Sequence, residues 1–80
     1  MTVRKKEPSL LISFRTAAEA MAMETACREA GVPGRLIPVP SFVTAGCSFG
    51  WKAPEAAERE VMEFVRERGL EYEKAGIHLL

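Results

Sequence analysis

The sequence has little of what most catalytic chemistries require. It holds two cysteines, Cys27 and Cys47, and one histidine, His78. Two scattered cysteines and one histidine do not supply an ordinary four-ligand zinc site, and no Asp, Glu or Cys stands at ligand spacing from His78. There is no glycine-rich phosphate loop and no dinucleotide fingerprint. No metal and no cofactor is therefore expected. Neither sign of charge is in excess: Lys plus Arg and Asp plus Glu number 11 each. A balanced chain has no general electrostatic attraction for nucleic acid. No apolar run is long enough to cross a membrane, and residues 1–9 are polar where a signal peptide would turn apolar. A cytoplasmic setting follows as the expectation, and there two cysteines are free thiols rather than a disulfide.

What is present fits one small domain. The chain has 80 residues, 48% of them hydrophobic, and no linker, repeat or low-complexity stretch. A chain of this size buries only about 60–65% of its unfolded surface, which leaves little material for a deep pocket. Residues 1–9, with the one basic cluster "VRKKEP", read as a flexible tail, and residues 10–80 as the domain.

Six short elements are legible. "LLISF" (10–14) is an apolar strand. "TAAEAMAMETACREAG" is a helix over 16–30: Thr16 and Glu19 have capping-box spacing, and Ala20, Met23, Cys27 and Ala30 repeat along one face up to Gly31. "GRLIPVP" (34–40) is strand-like, but Pro38 lacks a ladder donor and restricts it to an edge. After a loop at 41–46, "CSFGWKA" alternates, with Cys47, Phe49 and Trp51 on one face and Ser48, Gly50 and Lys52 on the other. A second helix over 54–68 opens on Pro54, carries Val61, Phe64 and Val65 inward, and stops at Gly69. "LEYEKAGIHLL" closes the chain as a strand broken or bulged near Gly76. The order βαββαβ predicts an α+β, ferredoxin-like fold: a four-stranded antiparallel sheet, ordered fourth-first-third-second, with both helices on one face.

That topology sets the candidate site. The third strand begins at the end of the sheet where the first helix starts, so Cys47 is expected near Arg15 and Thr16. A helix N-terminus carries free N–H groups and about half a positive charge, which favours a thiolate. Gly46 lets another backbone approach. The alternative is that Cys47 is a small soft residue at the rim of the core. Cys27, mid-helix on the apolar face, reads as packing. Arg35 and Lys52 are expected to face each other on the helix-free side of the sheet, as ordinary surface or as an anion or partner patch. His78 reads as a solvated strand residue.

The pieces "EAGVPGRLIPVP", a cysteine about seven residues beyond it, and the closing "EYE" resemble the selenium/sulfur carrier-like proteins, over residues 10–80. Phe14, Thr16, Ala20 and Glu24 match the strand-to-helix pattern of that family, residues 31–40 its proline-rich strand, and Cys47 its cysteine. Ser48 stands where the family typically has glycine, with Gly46 ahead of the cysteine instead. The resemblance implies a non-enzymatic carrier that holds sulfur or selenium on Cys47 as a persulfide or selenylsulfide, between donor and acceptor proteins. The absence of a general base beside the thiol suits a carrier better than a catalyst. The rival expectation is a partner-binding or regulatory module that uses the open sheet face, with Cys47 structural. A homodimer is also expected, through that face rather than through the edge that Pro38 blunts.

Overall fold

Every residue from Ser9 to Phe14 is buried. A strand can bury both of its faces and both of its edges only at the centre of a sheet, and that is where the structure puts this one. The computed structural model describes residues 7–39 and 49–79. Its elements are β1 (Pro8–Ser13), α1 (Ala17–Ala30), β2 (Arg35–Pro38), β3 (Phe49–Pro54), α2 (Glu58–Arg68) and β4 (Lys74–Leu79), with a short 3-10 turn, Glu55–Ala57, ahead of α2. All pairings are antiparallel and the strand order is β2-β3-β1-β4. This is the expected βαββαβ ferredoxin-like plan.

The core lies between the sheet and the two helices. Leu10, Ile12 and Phe14 from β1 and the turn after it meet Trp51 and Ala53 of β3, Ala20, Met23 and Cys27 of α1, and Val61 and Val65 of α2. The expected loop at 41–46 lies outside the described residues.

Several expectations are corrected. Pro54 does not open the second helix. It closes β3 opposite Ser9 with an extended backbone (φ −60°, ψ 146°), and the 3-10 turn intervenes before α2. Ala30 is exposed rather than inward; it borders a shallow groove with Val32 and Phe64. Phe49 is 46% exposed, although it shares a face with Trp51. It pairs with Pro38 on one side, but β1 ends at Ser13, opposite Gly50, so no strand flanks Phe49 on the other. β4 carries no bulge: its register with β1 runs unbroken from Ser13↔Lys74 through Leu11↔Gly76 to Pro8↔Leu79.

The helix-free face is less open than its pattern implies. Ser9, Leu11, Ser13, Val39 and Gly50 are all buried. A Cβ placed on Gly50 would lie 2.6 Å from Val39 Cγ2 and 3.1 Å from Leu11 Cδ1, so these two apolar side chains close over the glycine. The buried Ser13 hydroxyl donates to Glu73 Oε1 at 3.2 Å.

Trp51 is fixed by a second close approach. Its indole N–H donates to the Pro33 carbonyl at 3.2 Å, and Gly34 follows at φ +126°. A Cβ on Gly34 would overlap the Trp51 indole nitrogen and lie 2.6 Å from Cε2 and 2.7 Å from the Lys52 carbonyl. Both the dihedral angle and the space therefore demand glycine.

The Cys27 thiol is fully buried, and desolvation pushes its pKa up from 9.0 to about 11. A thiol that keeps its proton in the folded state, while the unfolded thiol ionises, stabilises the fold most below the unfolded pKa and loses that contribution as pH rises toward the folded one.

Three predictions follow from this packing. Gly34→Ala should cost about 2–5 kcal/mol through backbone strain and overpacking. Gly76→Ala should stabilise by about 0.5–1 kcal/mol, since a Cβ there meets only His78 Nε2 at 3.9 Å. Urea unfolding followed by Trp51 fluorescence reads both, and the same sign for the two variants contradicts the packing described. Stability should fall between pH 9.0 and about 11, by an amount on the order of 2–3 kcal/mol, with a shallower fall in Cys27→Ala; identical slopes in the two proteins would show that Cys27 is not desolvated.

Candidate functional site at the start of the first helix

The turn from β1 into α1 is built by Arg15, Thr16 and Glu19. Thr16, with an extended backbone, is the N-cap, and its hydroxyl oxygen accepts the Glu19 N–H at 3.2 Å. The Glu19 carboxylate reaches back one residue further than a capping box requires: it accepts the Arg15 N–H at 2.8 Å. It also lies 3.7 Å from the Arg15 guanidinium. Sequence reading assigned Glu19 to Thr16 and missed this second partner, although the i,i+4 spacing of Arg15 and Glu19 signals it.

These contacts define what the helix end has left to offer. The Glu19 and Ala20 N–H groups are taken, by the Thr16 hydroxyl and the Thr16 carbonyl respectively. Among the described residues, the Ala17 and Ala18 N–H groups have no acceptor. The Arg15 side chain is 61% exposed and partnered by a carboxylate at the edge of ion-pair range. The site therefore presents two free N–H donors beside a solvated guanidinium, with the Glu19 carboxylate offsetting part of the positive potential.

The sheet places this turn at the end where β1 finishes and β3 starts. Ser13 is opposite Gly50, and Phe49 is the first residue of β3. Cys47 stands two residues before Phe49 in the chain. Cys47, Gly46 and Ser48 lie outside the described residues.

Arg35 and Lys52 do stand directly opposite one another in the β2–β3 register. Arg35 is exposed and Lys52 half-buried, and neither forms an ion pair among the described residues. Two like charges in direct cross-strand opposition destabilise a sheet modestly. They project from the helix-free face, because Lys52 shares its row with Leu11, whereas α1 packs on the other face. The fold does not bring this pair together with Arg15 and Thr16. His78, opposite Ser9 on that face, is exposed.

Among the described residues, no group of three or more His, Cys, Asp or Glu side chains is gathered as metal ligands, and no helix is long and apolar enough to cross a membrane. No curated protein and no solved structure gives a significant match to the chain. The match that does exist, to a family model, extends over residues 9–75, from the central strand through both helices into β4. By that match the chain belongs to the family described as "Putative Se/S carrier protein-like".

Proposed function

We propose that this protein is a sulfur or selenium carrier whose working group is the Cys47 thiolate. The observation that carries the reading is the free pair of N–H donors, at Ala17 and Ala18, at the sheet end where β3 begins, in a chain of the carrier-like family. The family description is consistent with a non-catalytic role.

The loading step follows from thiol chemistry. The Cys47 thiolate attacks the outer sulfur of a donor persulfide, R–S–SH. The S–S bond of the donor breaks, a new S–S bond forms on Cys47, and the donor leaves as its thiolate, so no external oxidant or reductant is consumed. A selenium atom in the outer position gives a selenylsulfide by the same exchange. Delivery is the reverse attack by an acceptor thiolate. Each species carries a terminal anion, and the Ala17 and Ala18 N–H groups with Arg15 and Thr16 are the proposed support for it; Gly46 and Ser48 flank the thiol. Donor and acceptor proteins in the cytoplasm are the implied partners.

A second reading rests on Arg35 and Lys52, which form no ion pair among the described residues and suit docking of an anionic partner on the helix-free face. Here Cys47 would be structural.

The two readings separate by experiment. Incubation with a persulfide donor should raise the intact mass by one sulfur atom in the wild type and in Cys27→Ala, and leave Cys47→Ala unchanged. An alkylating reagent at neutral pH should modify Cys47 faster than the desolvated Cys27 by about tenfold or more, with a midpoint below the free-thiol value of about 8.5. Equal, slow labelling of both thiols, with no mass gain, would remove the carrier reading and leave the cationic pair as the site to pursue.

A further inference from the structure

We propose that β4 is a self-association edge, and that two copies of this chain join by antiparallel pairing of their β4 strands about a two-fold axis between the two copies of Ile77. The result is one continuous eight-stranded sheet with all four helices on the same side.

The order β2-β3-β1-β4 leaves two edges, and they differ in kind. β2 is four residues long, begins with exposed Arg35 and ends in Pro38, which has no N–H to donate. Short length, charge and proline are the usual ways in which an edge is kept from pairing. β4 is six residues long, holds no proline, and keeps regular register with β1 along its whole length. Among the described residues its outward backbone groups have no partner.

The side chains of β4 are also uncovered. Ala75, Ile77 and Leu79 lie opposite Ile12, Leu10 and Pro8, so they continue the face on which the helices pack. The core that the helices close over, however, draws on β1 and β3 and on no residue of β4. Ile77 is 38% exposed and Leu79 66% exposed, and neither joins the core cluster. An apolar stripe thus runs along an unpaired strand, beside a core that already buries β1.

The register chooses the occupant. A two-fold axis normal to the sheet pairs only residues that point to the same face, so it must pass between two copies of one residue. At Gly76 it would set Lys74 opposite His78. At His78 it would set two imidazoles against each other. At Ile77 it sets Ile77 against Ile77, Ala75 against Leu79 and Gly76 against His78, so every pair on the helix side is apolar and no charge meets a like charge. A second copy of the same strand therefore satisfies the stripe and the ladder together. Among the described residues, the centre of the helix-free face is occupied by buried Leu11, Val39 and Gly50.

The test is sedimentation equilibrium of the full chain over a wide concentration range, with hydrogen exchange at both extremes. Twice the chain mass at high concentration, with slowed exchange of β4 amides and unchanged exchange of β2 amides, is the expected result. Ile77→Lys should raise the dimer dissociation constant by about tenfold or more, since two ammonium groups then meet at the axis, while Trp51 fluorescence reports an intact fold. If that variant does not fold, the exchange pattern of the wild type decides. A monomer at millimolar concentration overturns the proposal. So does a dimer that survives Ile77→Lys but is lost in Arg35→Glu with Lys52→Glu, which would put the contact on the helix-free face; so does slowed exchange in β2 instead of β4.

Discussion

The burial of β1 from both sides is the constraint on which the rest of this structure depends. Its helix-side residues, Leu10 and Ile12, form the floor of the core, and its other side, Ser9, Leu11 and Ser13, is buried as well. No residue of β1 is spent on solvent except Pro8. In a chain that buries so small a fraction of its surface, one strand carrying both layers supplies much of the apolar area that opposes chain entropy. The topology follows from it. β3 and β4 must flank β1, β2 is displaced to an edge, and α1 starts at the end of the sheet where β1 stops.

The same economy shapes the helix start that serves as the candidate site. α1 begins within four residues of the end of β1, with Thr16 as its cap. Glu19 then performs three tasks: it is capped by Thr16, it fixes the turn through the Arg15 N–H, and it lies beside the Arg15 guanidinium. A carboxylate in the first turn stabilises the helix through the macrodipole, and it also lowers the potential an incoming anion would feel. What remains for an anion is local: two N–H groups with a direction, rather than a broad positive field. That arrangement suits a small anion better than a large polyanion, in keeping with a chain of zero net charge.

Burial settles the chemistry of Cys27. Cys27 is held as a neutral, desolvated group in the middle of the core, where its pKa of about 11 prevents it from competing as a nucleophile near neutral pH.

The order of elements, the strand at the centre and the identity of the edge strand with Pro38 could all be read from the sequence, because hydrophobic period, a capping pair and glycine stops are local signals. The same is true of Cys27 as a packing residue and of the shared face of Arg35 and Lys52, which alternation predicts; their direct opposition is a matter of register. Four features depended on tertiary structure. Phe49 alternates like a core residue and is half exposed, since a strand's burial depends on which neighbours extend as far as it does. Gly76 resembles a bulge and sits in regular register, since register is set by β1 across the ladder. The helix-free face looks open in pattern, yet Val39 and Leu11 close over Gly50. The exposed stripe of β4 follows from which strands the core closes over, which no local pattern records. Sequence by itself determined which residues are apolar and how they repeat; only the packing of distant segments decided which of those apolar residues were left exposed.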